Sequence, residues 1–276
     1  MINLFGKGYI GTEFVRQFGA DVLVNYKFDY MPVSNKVLYT ISTTDNYNVH
    51  EAPHLDIDTN LTTFITFLEN MRKVFGTDSE ITFLSSWFVY GAQEDLPVKE
   101  DASCHPKGFY SITKYAAEML LESYCNTFGM KYRILRLCNV IGGEDNGAGA
   151  KKNALHYMIT EMCNDREVSL YDTGVYRDYM NVMDVVRAIK IAMDSDSTLG
   201  EIVNIGSGTS HKVQDLVYYA YMTMPTGKIK TKKTPTFHKN VQTDKMELDT
   251  AKLRSLGFLP EYSVYDTVDE IVKNAV

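Results

Sequence analysis

Short apolar runs alternate along this chain with segments whose apolar residues recur every three to four positions. Residues 2–5 form an apolar run, and 10–18 follow with helical spacing. Residues 22–24 and 37–41 read as further strands. Leu61, Phe64, Ile65, Leu68 and Met71 then return to helical spacing. Beyond them, 81–84 predicts a strand, 110–128 a helix, 132–137 a strand, 184–193 a helix and 202–205 a strand. Such alternation predicts an α/β fold: a parallel sheet with helices on both faces. A Gly- and Asn-rich stretch, 142–149, breaks the rhythm, and the pattern after it is less regular. A smaller second lobe is expected to begin there.

The chain has 276 residues, 45% apolar and 23% charged, which suits a folded globular protein of one large or two modest domains. Its net charge of −7 is spread evenly, so no nucleic-acid partner is expected. The one basic stretch is 228–245, with six lysines against Asp244. No apolar run approaches the ~18 residues a membrane span needs, so no membrane association is expected. The strand-like run begins at residue 2, leaving no room for a signal peptide ahead of it. Cys104, Cys125, Cys138 and Cys163 form no C-x-x-C pair, and the six histidines lack metal-ligand spacing. The expectation is a reduced, cytoplasmic chain without a metal site.

Gly6-Lys7-Gly8-Tyr9-Ile10-Gly11 directly follows the first strand and opens a helix. Glycines at this spacing allow a tight turn, close approach of backbone to a pyrophosphate and packing of helix on strand. The helix N-terminus then presents free N–H groups to the anion. A dinucleotide cofactor is the reading. The acid that would take the adenosine ribose should end the second strand, but Asn25 and Tyr26 stand there, followed by Lys27. Asp29 is a substitute acid. Lys7 and Lys27 would suit a 2′-phosphate or are ordinary solvated lysines, so NAD and NADP both stay open.

Of 19 tyrosines, only Tyr110 has a lysine four residues on, Lys114. Chance alone supplies about one such pair, so the context decides. Both fall on one face of the predicted helix, where an ammonium one turn away lowers a phenol's pKa and makes it a general base for an alcohol. The strand before it ends in Ser85-Ser86, at the carboxyl edge where ligands bind in such sheets.

With these features in order, the chain resembles the extended short-chain dehydrogenase/reductases, in particular the NAD-dependent epimerase/dehydratase group acting on nucleotide sugars. The matching stretches are the glycine loop, Ser85-Ser86 with Val89-Tyr90-Gly91, Tyr110-Ser111-Ile112-Thr113-Lys114 and Arg136-Leu137-Cys138-Asn139-Val140-Ile141-Gly142. They continue with Arg177-Asp178-Tyr179-Met180-Asn181-Val182-Met183-Asp184, Asn204-Ile205-Gly206-Ser207-Gly208 and Leu256-Gly257-Phe258-Leu259-Pro260. The resemblance implies a Rossmann-type doubly wound parallel sheet with a smaller C-terminal substrate-binding lobe. Residues 1–142 and 180–206 would form the first, 143–179 and 207–276 the second.

The resemblance also implies roles. Ser86, Tyr110 and Lys114 would be catalytic: Ser86 holds the reacting oxygen, Tyr110 is the acid/base, and Lys114 binds the nicotinamide ribose. Gly6, Lys7, Gly8, Tyr9, Ile10, Gly11, Tyr26, Lys27, Ser42, Ser85, Tyr110 and Lys114 would contact NAD or NADP, NAD being favoured. Ser86, Trp87, Asn139 and Arg177 would contact a nucleotide-diphosphate sugar, Arg177 at its diphosphate. Blander roles are a capping Asn139, an Arg177–Asp178 ion pair and a turn serine at 86. A homodimer is implied through helices 61–75 and 110–128, whose apolar faces (Leu61, Phe64, Leu68; Ala116, Met119, Leu120) would meet a second copy or the core.

Several positions depart from the family pattern. Its first glycine would fall at Phe5, so the loop here is one residue tighter. Only 12 residues separate the second predicted strand from the third, about the minimum for a crossover, so one strand–helix unit looks lost. Family dehydratases carry Asp and Glu after the serine; Trp87 and Phe88 here cannot transfer protons and are expected to pack beneath the cleft. Family members that epimerise beside a ketone carry a cysteine at the place of Phe88. What remains is hydride chemistry at one carbon: a 4-epimerase with bound NAD, or an NADPH-dependent 4-keto-sugar reductase. A vestigial, cofactor-binding sensor is a third reading. No arginine occurs in 228–245 for the diphosphate, where Lys232, Lys233 or Lys239 would substitute.

Overall fold

The computed structural model describes residues 1–25, 29–44, 46–145 and 153–275. Strand β1 (Ile2–Phe5) leads through the glycine loop into α1 (Tyr9–Phe18) and back along β2 (Val22–Val24). Next come β3 (Lys36–Tyr39) and a short α2 (Leu55–Ile57), which runs through a π-turn into α3 (Thr63–Phe75). Then β4 (Glu80–Ser86), α4 (Phe109–Phe128) and β5 (Lys131–Leu137) complete the first half. The rest comprises β6 (Asn139–Ile141), α5 (Ala154–Cys163), β7 (Glu167–Tyr171), β8 (Tyr176–Asn181), α6 (Val182–Asp194) and β9 (Ile202–Ile205). It ends with β10 (Ser210–Lys212), α7 (Val213–Thr223), β11 (Lys228–Lys232), α8 (Thr236–Val241), α9 (Ala251–Ser255) and α10 (Val264–Ala275).

The main sheet is six parallel strands in the order β2-β1-β3-β4-β5-β9, a Rossmann-type α/β sheet. Its strands are apolar almost throughout, as a sheet covered on both faces requires. One face packs Phe14, Leu38, Leu135, Val185, Ile189 and Val203 beneath α1 and α6. The other packs Phe5, Tyr39, Phe64, Phe67, Phe83 and Leu121 beneath α3 and α4. Each such side chain contributes about 1.5–3 kcal/mol by leaving water. Phe64 and Leu68 therefore belong to the core, while Met119 and Leu120 are exposed.

The short link from β2 to β3 crosses β1, and no helix occurs among its described residues. Asparagines hold it instead. Buried Asn3 donates from Nδ2 to the Leu23 carbonyl (3.1 Å) and to Asn25, and its Oδ1 accepts from the Val33 N–H (2.9 Å). Asn25 donates in turn to the carbonyls of Asp29 (3.1 Å) and Met31 (2.8 Å). The sheet ends at β2, in accord with the short spacing in the sequence.

A third core joins α5, α7 and α10 around Ile141, Leu155, Ile159, Leu170, Leu216, Val268 and Ile271. Beside it lie a sheet ordered β10-β8-β6 and a pair of parallel strands, β11 and β7. Among the described residues no helix is long and apolar enough to cross a membrane. None of the four cysteines is in a disulfide.

Candidate functional site

The carboxyl end of β4 meets the first turns of α4, because both bury apolar faces in the sheet. Ser86, the last residue of β4, caps the turn formed by Trp87–Tyr90: its Oγ accepts from the Phe88 N–H at 3.3 Å. The Ser85 hydroxyl beside it is buried without a partner. Tyr110 is buried in the first turn of α4, and Phe88 meets its ring edge-on with centroids 6.0 Å apart. Lys114, one turn later, is fully buried. Its Nζ donates to the Leu84 carbonyl at 2.6 Å and lies 3.9 Å from the centre of the Phe83 ring. Burial draws this ammonium down to about 7, against the opposing field of Glu118. Ser86, Tyr110 and Lys114 thus share one strand–helix seam.

Trp87 and Phe88 stack on one another, centroids 3.9 Å apart. The Arg177 guanidinium lies over the Trp87 ring at 4.9 Å. These two aromatics connect the phenol of α4 with the guanidinium of β8; Trp87 is buried, and Phe88 reaches the cavity described below. Arg177 is buried and donates to the carbonyls of Tyr176 (2.8 Å) and Asp244 (3.4 Å) and to Gln242 (3.5 Å). Among the described residues no carboxylate lies within ion-pair distance of it, and burial draws its pKa down to about 10.

An Arg177–Asp178 ion pair is absent for a simple reason: successive strand residues point to opposite faces. Asp178 accepts instead from the N–H of Ser207 (2.9 Å), the N–H of Gly208 (3.1 Å) and the Ser207 hydroxyl (2.6 Å).

Arg177 opens into a cavity of about 510 Å3 whose wall also holds Asn46, Phe88, Asn139, Gln214, Lys232, His238 and Gln242. Asn139 donates to the Asp178 carbonyl at 3.2 Å. Of the three lysines expected near the diphosphate, Lys232 is in this wall. His238 on α8 and Gln242, which follows that helix, also reach it, and pattern reading passes over both. The His238 Nδ1 and the Tyr47 hydroxyl are 2.7 Å apart, and the imidazole packs on Tyr171 at 4.8 Å. Burial, and then the charge of Arg177, lower the His238 pKa. Asn46, in the loop after β3, and Asn60, in the π-turn before α3, were also invisible in the sequence, because neither belongs to a motif. Asn60 donates to Thr113 (3.0 Å) and accepts from Ser42 (3.0 Å), tying that loop to α4.

The glycine loop shows three different demands. Gly6 has φ +98°, and a Cβ there would sit 2.6 Å from the Thr40 hydroxyl. A Cβ on Gly11 would sit 2.3 Å from the Gly6 carbonyl oxygen. Gly8, the N-cap of α1, faces open space. An uncovered helix N-terminus, together with the partnerless Ser85 hydroxyl, fits a dinucleotide laid across the carboxyl ends of β1, β3 and β4. Lys7 is exposed, Ile10 packs against the core, and the Tyr9 hydroxyl donates to the Gly142 carbonyl. Tyr26 and Lys27 lie outside the described residues. A second cavity, of about 640 Å3, adjoins Gly8, Tyr9 and Thr12, but its wall sets Glu13, Glu144, Asp145 and Glu270 against Arg16. That sign is wrong for phosphate. Among the described residues no group of three or more His, Cys, Asp or Glu could hold a metal ion.

A family model described as the NAD dependent epimerase/dehydratase family matches residues 38–206. The chain is 28% identical over 264 residues to a putative UDP-glucose 4-epimerase of Methanocaldococcus jannaschii, covering 95% of this chain and 83% of that one. It is 30% identical over 151 residues to a GDP-6-deoxy-D-mannose reductase of Pseudomonas aeruginosa, covering 52% of this chain and 49% of that one. In structure it is similar to a UDP-glucose 4-epimerase of Thermotoga maritima solved with UDP-glucose. The TM-score is 0.86 at 24% identity, over 99% of this chain and 97% of that one.

Proposed function

This chain belongs to the NAD dependent epimerase/dehydratase family, an enzyme family whose cofactor is NAD or NADP, and we propose that it interconverts C4 epimers of a nucleotide-diphosphate sugar with bound NAD. The observation that carries this reading is Arg177: a buried guanidinium without a carboxylate partner, in the wall of a cavity that Phe88 shares, with Phe88 in turn against Tyr110. A buried cation without a counter-ion calls for an anionic ligand. The guanidinium fork suits the oxygens of a diphosphate. The cavity volume lies in the range of small-molecule sites, roughly 300–1,000 Å3.

In this reading Gly6, Gly8 and Gly11 let the α1 N-terminus hold the cofactor pyrophosphate, and Ser85 supplies a hydroxyl contact. NAD, when bound, supplies the hydride acceptor for C4. Ser86 and Tyr110 hold the 4-hydroxyl, and the phenolic oxygen of Tyr110 takes its proton. After the 4-keto sugar turns over, its C4 would take the hydride back on the other face, and Tyr110 returns the proton to the alkoxide so formed. Lys114 orients the ribose and supplies positive charge to the seam. Trp87 and Phe88 have no proton to give or take, which speaks against elimination of water. Residues 1–142 and 180–206 would form the cofactor lobe, 143–179 and 207–276 the sugar-nucleotide lobe. A second copy would pack on the exposed Ile65, Met119 and Leu120.

A 4-keto-sugar reductase using NADPH is the second reading. It is favoured by Asn25 in place of a ribose-binding acid, its side chain already committed to Asp29 and Met31. To decide, the dinucleotide released on denaturation is identified, and native protein is incubated with UDP- and GDP-sugars. Retained NAD and interconverted C4 epimers are expected. Consumption of NADPH with a 4-keto sugar, without epimer exchange, would replace the first reading by the second. Unchanged turnover by Tyr110→Phe would remove both.

A further inference from the structure

We infer that Asn46 is a sugar-binding residue, its side-chain amide donating to an oxygen substituent of the pyranose. The inference rests on the sugar-nucleotide reading of the cavity. Asn46 is 2% exposed and stands in the cavity wall, in the loop between β3 and α2. Its Oδ1 accepts from the N–H of Ser111 at 3.3 Å and from the Ser111 hydroxyl at 3.1 Å. Ser111 follows Tyr110, so this loop is fastened to the turn that carries the phenol.

The orientation of the amide is fixed chemically. A backbone N–H only donates, so the atom facing Ser111 must be oxygen. The Nδ2 is therefore directed away from α4, and it is buried without a partner. Leaving a buried donor unmet costs about 1–3 kcal/mol. That cost is relieved when a ligand brings an acceptor. Gly108 supports the placement: it has φ +84°, and a Cβ there would sit 2.6 Å from the Asn46 Oδ1. The wall that Asn46 shares also holds Thr44, Phe88 and Asn139, and Phe88 meets the Tyr110 ring edge-on. The acceptor matched to an uncharged amide at the Tyr110 end is a hydroxyl or acetamido oxygen of the sugar.

A purely structural role is separable from this one. If Asn46 served only to cap α4, aspartate would serve as well, since it accepts from the same two donors and suits a helix N-terminus. Binding of UDP and UDP-glucose, and of GDP and GDP-mannose, is measured by calorimetry on wild type, Asn46→Asp and Asn46→Ala. Melting temperatures are recorded alongside. Asn46→Asp should keep the melting temperature and the affinity for the bare nucleoside diphosphate. The affinity added by the sugar should fall on the order of tenfold. Asn46→Ala should lose the same sugar-dependent part without adding charge, and should melt lower. The inference is overturned if either variant binds the sugar nucleotide as wild type does. It is equally overturned if nucleotide and sugar nucleotide weaken alike, or if wild type gains nothing from the sugar. Wild type that binds neither nucleotide would sink the reading of the cavity itself, and this inference with it.

Discussion

The guanidinium of Arg177, in the cavity wall, lies 4.9 Å over the ring of Trp87, a residue from a separate part of the chain. The contact supplies part of what water would have supplied to the cation, but burial still disfavours the charge. Arg177→Met should therefore raise the melting temperature of the ligand-free protein. It should also weaken UDP or GDP binding on the order of 30-fold or more, the loss from truncating one partner of a buried charge pair. Calorimetry and thermal melts on one preparation check both. Unchanged nucleotide affinity would show that the diphosphate sits elsewhere.

Lys114 gives a pH dependence of definite sign. Its folded value, about 7, lies below the ordinary 10.5. Below pH ~7 both folded and unfolded chains carry the proton, and the folded state carries the charge in a dry seam. Between about 7 and 10.5 the unfolded chain holds more protons, so stability rises with pH. Relative to Lys114→Met, the wild type should gain about 2–3 kcal/mol between pH ~6 and ~9. Urea unfolding of ligand-free protein at several pH values measures the gap. A gap that does not change with pH would mean that the ammonium is not held dry.

The glycines of the first loop should separate folding from cofactor retention. Gly11→Ala places a methyl 2.3 Å from a backbone carbonyl oxygen, so it should destabilise by roughly 1–3 kcal/mol, the cost of overpacking. Gly8→Ala meets nothing in the protein and should leave the melting temperature within a few degrees. The same methyl would project toward the pyrophosphate, so dinucleotide retained through purification should drop. Full retention by Gly8→Ala would place the pyrophosphate away from this turn.

The sheet was legible because its strands are buried on both faces and read as plain apolar runs. The spans of β2 and β9 match the sequence reading to the residue. The seam of Ser86, Tyr110 and Lys114 was legible because strand end and helix start carry recognisable residues at short range. The side chains that complete the cavity wall were not. Asn46 reaches it from an irregular loop, and His238 and Gln242 from within and just after α8, a helix of six residues with no periodic face to read. Their positions depend on contacts across the fold, such as Asn46 with Ser111 and His238 with Tyr47. The lost strand–helix unit could be counted from spacing, but not its replacement. The Asn3–Asn25 clasp joins two strands through side chains that show no periodicity.

The buried pair Glu118–Arg136 should be the costliest single contact to break in this half of the molecule. Glu118 follows Lys114 by one turn of α4, and its carboxylate meets the Arg136 guanidinium at 2.6 Å with both side chains 3% exposed. Arg136 also lies over the Tyr90 ring at 4.6 Å, and the Tyr90 hydroxyl donates to Asn204 on β9 at 2.6 Å. Removing either charge strands the other in a dry interior. Glu118→Leu and Arg136→Met should each cost about 3–5 kcal/mol. The double variant removes both charges together and should recover most of that loss, since matched apolar replacements of buried ion pairs are often neutral. Denaturant unfolding of the two single variants and the double variant closes the cycle. Additive losses in the double variant would mean that the two charges are held by separate surroundings rather than by each other.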